Sequence, residues 1–111
     1  MEQFEQNLNR NENSEGKIDK QKVIESLKAK GFEDPETMEL VVKWTEQREH
    51  EVEQSGFFDE RVLFELERSE LYLAVGDTEG ARECITDILT MALNEGKDDW
   101  VEKLEKVLSG M

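Results

Sequence analysis

The sequence predicts an all-α protein of about five helices arranged as antiparallel hairpins. Three observations lead there. Glycine and aspartate recur where helices would stop and start. The apolar residues between them follow the i, i+3, i+4 spacing of a helix buried on one side. No stretch alternates β-branched with polar residues over the length of a strand. Proline occurs once, at position 35, and the short connections favour neighbouring helices that run antiparallel.

Residues 1–17 carry Met1, Phe4 and Leu8 as their only apolar side chains amid Glu, Gln and Asn. That is too little burial to offset the entropy of ordering, so a disordered, acidic and polar tail is expected ahead of a single domain over 18–111. Phe4 and Leu8 stand at helical i,i+4 spacing, which allows a short turn to dock on the body.

In the first helix Asp19 is the expected N-cap, and Val23, Ile24 and Leu27 form the apolar stripe. Gly31 takes the left-handed position past its end, letting Phe32 fold back on Leu27. Asp34-Pro35 opens the second helix with an acceptor at the N-cap and a proline at N1, where the missing N–H costs nothing. Met38, Val41, Val42 and Trp44 lie on one side of that helix. It then runs through a charged stretch whose only aliphatic residue is Val52, and stops at Ser55-Gly56. Asp59 is the expected cap of a third helix bearing Val62, Leu63, Leu66, Tyr72 and Leu73, ended by Gly76. Asp77 caps a fourth with Ala81, Ile85, Ile88, Leu89 and Ala92, ended by Gly96. The fifth, over 98–109, carries Trp100, Val101, Leu104, Val107 and Leu108 ahead of Gly110.

Of 111 residues, 28 are acidic and 14 basic, a formal net charge of −14. Residues 35–56, 57–76 and 77–96 carry −4, −3 and −4, so the acidity belongs to the helical body and not to a tail. Nucleic-acid binding draws its affinity from Lys and Arg set against phosphates, and this balance argues against it. A single cysteine excludes an internal disulfide framework and multi-cysteine zinc sites, and fits a reducing, cytoplasmic compartment. The longest apolar runs, 40–42 and 71–75, fall far short of a membrane span, and residues 1–17 lack the apolar core of a secretory signal.

Residues 62–96 place the small Ser69 and then Tyr72 before a Gly76-Asp77 turn, followed by the small Ala81 and then Ile85. This pattern resembles one tetratricopeptide-type helical hairpin. The run from Tyr72 to Arg82 is similar to terminal hairpins of bacterial assembly-hub proteins of the FimV type. The resemblance implies that Ser69 and Ala81 let two backbones approach while Tyr72 and Ile85 fill the space beside them. It also implies a groove on the first helix around Leu66, Glu70 and Leu73, used for protein–protein contact. Glu65, Arg68 and Leu93 depart from the family's tryptophan, leucine and proline, no second copy is evident, and Arg68 and Arg82 alone do not make a clamp for acidic peptides. One hairpin cannot bury its own apolar face. Either the 98–109 helix serves as its cap, or the two hairpins pack as an irregular bundle.

Candidate chemistry is sparse. Glu46, His50 and Glu53 share a helical face with Glu49, but the residue three before His50 is Gln47 and no second histidine exists, so the ligand set of a metal site is missing. Cys84 lies past the first turn of its helix, without an assignable base. Neither Asp77-Thr78-Glu79-Gly80 nor Asp98-Asp99 has the alternating oxygens of a calcium loop, and no nucleophile–base–orienter set or phosphate-binding glycine pattern occurs. No enzyme activity, metal or cofactor is therefore expected. Phe57-Phe58 beside the charged half-helix 45–55 is the informative surface feature: one ring caps the bundle or staples the next helix, and the other is exposed as an anchor.

The functional expectation is a small acidic interaction module, an adaptor or assembly factor, that binds a basic protein surface or peptide through Glu49, Glu53, Phe57 and Phe58 and through Leu66, Glu70 and Leu73. Two alternatives stand beside it. One is an acidic decoy that inhibits a nucleic-acid-binding protein. The other is a self-associating structural protein whose lone repeat is completed by a homodimer.

Overall fold

The computed structural model describes residues 17–111. Among them are five α-helices and no strand: α1 (Lys20–Lys30), α2 (Pro35–Ser55), α3 (Phe58–Ala74), α4 (Thr78–Asn94) and α5 (Asp98–Ser109). The expected tail lies outside the described residues except for Lys17, whose ammonium pairs with Glu51 of α2 at 2.8 Å.

Local signals set most helix ends. The carboxylates of Asp19, Asp34 and Asp77 accept from the backbone N–H of Gln21, Thr37 and Gly80 at 3.1, 2.9 and 2.9 Å, capping α1, α2 and α4. Gly56 sits at φ 69°, ψ 6°, the left-handed geometry that ends α2 and reverses the chain into α3. Gly31 is different. Its φ of 79° is paired with ψ 178°, so the chain leaves α1 extended. Phe32 packs against the core cluster that holds Leu27 and tilts against Tyr72 of α3 with ring centroids 5.5 Å apart. Asp59 does not cap α3 either. The helix begins one residue earlier, at Phe58, with no side-chain cap bond, and Asp59 binds elsewhere.

Two hydrophobic clusters make the core, and α3 is the wall between them. Val23, Ile24 and Leu27 of α1, Trp44 and Val52 of α2, and Phe64 and Leu71 of α3 form the first. Val62 of α3, Ile85, Ile88 and Ala92 of α4, and Leu104 of α5 form the second. An element buried on two sides cannot be read as a single apolar stripe. This is why the expected face of α3 is partly wrong: Leu63 and Leu73 are exposed, whereas Phe64 and Leu71 are buried. On α2, Met38 and Val42 are likewise exposed, and the position that closes on α1 is Thr37. Its buried hydroxyl meets the Ser26 hydroxyl at 2.7 Å and donates to Asp34 at 2.9 Å. The burial is affordable only because the oxygen is fully bonded. Val107 of α5 is exposed too.

The described residues form a slab whose Cα extents are 49 × 35 × 16 Å. Every helix keeps a solvent face, with exposed residues on each of the five. Arg48 ties α2 to α3, its guanidinium donating to Glu67 at 2.8 Å and to Glu51 at 2.6 Å. No helix among the described residues is long and apolar enough to cross a membrane.

Candidate functional site

The residues expected to meet a partner fall into two grooves near opposite ends of α3, with Phe58 and Leu73 separated by about 22 Å of helix at ~1.5 Å per residue. Leu66 belongs to neither. It is half-buried against the second core cluster, one turn beyond Val62. Glu49 is exposed on α2 and lines neither groove.

The first groove, of about 310 Å³, lies where the end of α2, the start of α3 and the end of α4 converge. Val52 lines its base at 3 % exposure, and Phe57, 70 % exposed, stands at its edge with the half-buried Phe58. Sequence reasoning singled out Glu53, Phe57 and Phe58; it missed Arg61, Met91 and Glu95, which line the same space. Met91 and Glu95 arrive from another hairpin arm, and no local pattern announces them. Neither α2 nor α4 has a basic residue in its last turn, so the negative ends of both helix dipoles reach this groove uncompensated from within.

The second groove, about 400 Å³, runs between α1 and α3 and is lined by Gln21, Ile24, Lys28, Glu70, Leu73 and Ala74. Leu73 is exposed there. The Glu70 carboxylate, however, is already engaged by the Lys20 ammonium at 3.1 Å, and with Lys28 on the wall the groove is mixed in charge. A third hollow of about 510 Å³ lies at the α4–α5 turn, where the Trp100 indole N–H donates to Asp59 and the Lys103 ammonium lies 4.9 Å from the Trp100 ring centroid.

Of the hairpin residues, Ser69 of α3 and Ala81 and Ile85 of α4 are buried, at 4 %, 0 % and 1 % exposure. Gly76 takes φ 79° in the turn ahead of Asp77. At Gly80 a Cβ would stand 2.6 Å from Cδ1 of Tyr72; sequence reasoning passed over this glycine.

Cys84 is buried, and that burial pushes its thiol pKa up, away from the thiolate a nucleophile needs. Burial also pushes the Glu65 carboxyl up, against the pull of Arg68, whose guanidinium donates to it at 3.0 Å. His50 is exposed, and among the described residues no three His, Cys, Asp or Glu side chains are placed to hold a metal ion. Comparison with protein-family models, with curated proteins and with solved structures finds no match to this chain.

Proposed function

We propose that this chain is a small non-enzymatic interaction module, an adaptor or assembly factor, that binds a basic segment of a protein partner. The observation that carries the reading is an exposed aromatic, Phe57, at the edge of a preformed groove on helices whose summed charge over 35–96 is strongly negative. A hydrophobic anchor ringed by charge is the usual anatomy of a recognition patch, and acidic helices speed encounter with cationic partners. The tetratricopeptide-like reading is supported by the buried small residues Ser69 and Ala81 and by the close seat of Tyr72 against Gly80.

Affinity capture from a lysate at low and high salt, with the captured proteins identified by mass spectrometry and each binary contact then rebuilt from purified components, tests it. The expected result is a partner whose interacting segment is rich in Lys and Arg and which is released as salt rises. A partner that binds through an acidic segment, or turnover of a small molecule by the purified chain, would overturn it.

A further inference from the structure

We propose that the groove beside Phe57 is the seat for an arginine of the partner, stacked on the phenylalanine face with its guanidinium between Glu53 and Glu95. The proposal rests on the interaction-module reading and narrows it to one site and one kind of residue. Phe57 is the exposed ring here, and among the described residues it has neither an aromatic neighbour nor a cation over its face. Its neighbours in the chain show what such a ring takes. Phe58 has the Lys97 ammonium 5.8 Å from its centroid, Phe64 has the Arg68 guanidinium at 5.9 Å, and Trp100 has Lys103 at 4.9 Å.

Charge complementarity selects the occupant. Glu53 and Glu95 line the groove, and neither has an ion-pair partner among the described residues, although Arg61 lines it too. The C-termini of α2 and α4 add partial negative charge from the same side. The first turn of α3 contributes the opposite sign, but its own Asp59 and Glu60 offset it. A space of about 310 Å³ is large enough to take the side chain. Arginine answers all of this at once: a planar cation weakly enough hydrated to stack on an aromatic ring, with five donors for carboxylates and helix-end carbonyls. Lysine answers the charge and can lie over a ring, as Lys97 and Lys103 do here, but it lacks the planar fork that pairs two carboxylates at once.

Fluorescence anisotropy tests the proposal with three labelled peptides that alternate leucine with arginine, with lysine or with glutamate, at about 50 and 300 mM salt. Phe57→Ser removes the ring without changing charge. Glu53→Gln with Glu95→Gln removes the two carboxylates, and Glu79→Gln with Glu83→Gln, near the other end of α4, removes the same charge elsewhere. All five positions are exposed, and circular dichroism confirms that each variant keeps its helices. The arginine peptide is expected to bind more tightly than the lysine peptide and the glutamate peptide not at all. Phe57→Ser and the groove double variant should each weaken arginine-peptide binding at least about fivefold, the worth of roughly 1 kcal/mol, with the distant double variant changing it less than about twofold. Equal weakening by the two double variants, or Phe57→Ser binding like the parent, would overturn the arginine seat while leaving the module reading in place. A parent chain that binds neither basic peptide would overturn both.

Discussion

The indole N–H of Trp100 donates to Asp59 at 2.6 Å, joining α5 to α3 although no Cα of one helix lies within 8 Å of the other. The two helices also share the second core cluster, through Val62 of α3 and Leu104 of α5. A double-mutant cycle with Trp100→Phe and Asp59→Ala is expected to show a coupling of about 1 kcal/mol in urea unfolding, a charge-assisted bond reduced by its solvent exposure. Additive effects within ~0.3 kcal/mol would mean that the bond does not hold the helix.

Gly80→Ala should destabilise the protein, against the usual gain of about 0.5–1 kcal/mol for replacing a helical glycine. The added carbon would meet Tyr72 Cδ1 at 2.6 Å and Asp77 Oδ2 at 2.8 Å, and overpacking of this kind costs about 1–3 kcal/mol. In a Tyr72→Leu background the same change should become neutral or favourable. If Gly80→Ala raises Tm in the parent, the tight seat between the hairpin arms is not there.

Asp34 accepts from both the N–H and the hydroxyl of Thr37, and these bonds hold its carboxyl pKa below the ordinary value. A group lowered on folding contributes stability above its unfolded pKa near ~4, and loses it as pH falls through the lower folded value. Asp34→Ala should therefore lower Tm at neutral pH, with the gap from the parent closing as pH falls below about 4. A gap that stays constant over that range would rule out the carboxylate as its source.

Glu65 carries the opposite sign. Burial raises its carboxyl despite the Arg68 bond. Its ionised form therefore costs stability above the folded pKa, and the cost is relieved as pH falls through that value toward the unfolded one. Glu65→Gln, which still accepts from Arg68, should match or slightly exceed the parent in Tm at pH 7 and lose any advantage near pH ~4. A drop of more than about 3 °C at neutral pH, close to 1 kcal/mol or less for a domain of this size, would show that the charge itself holds the site.

Five helices and most of their ends were legible because their signals are local. Asp19, Asp34 and Asp77 cap helices through N–H groups two or three residues away. What escaped depends on partners far along the chain. Asp59 looks like a cap by position, yet its hydrogen bond goes to a residue 41 places on. Gly80 reads as a weak helical residue until Tyr72 is set against it from the facing helix. The two faces of α3 overlap in sequence, so Leu63 and Leu73 were preferred to Phe64 and Leu71. Half of the candidate groove could be seen in the Phe57-Phe58 pair. Met91 and Glu95 become its other wall only once α4 has turned back beside α3.

A helix that walls two cores cannot be released by one of them alone. Losing α1 and α2 strips the cover from Phe64 and Leu71, and losing α4 and α5 strips it from Val62. Each half covers part of the helix that the other needs, so proteolytic nicking in either connection to α3 is expected to liberate no durable fragment, and the two halves are expected to melt as one cooperative unit.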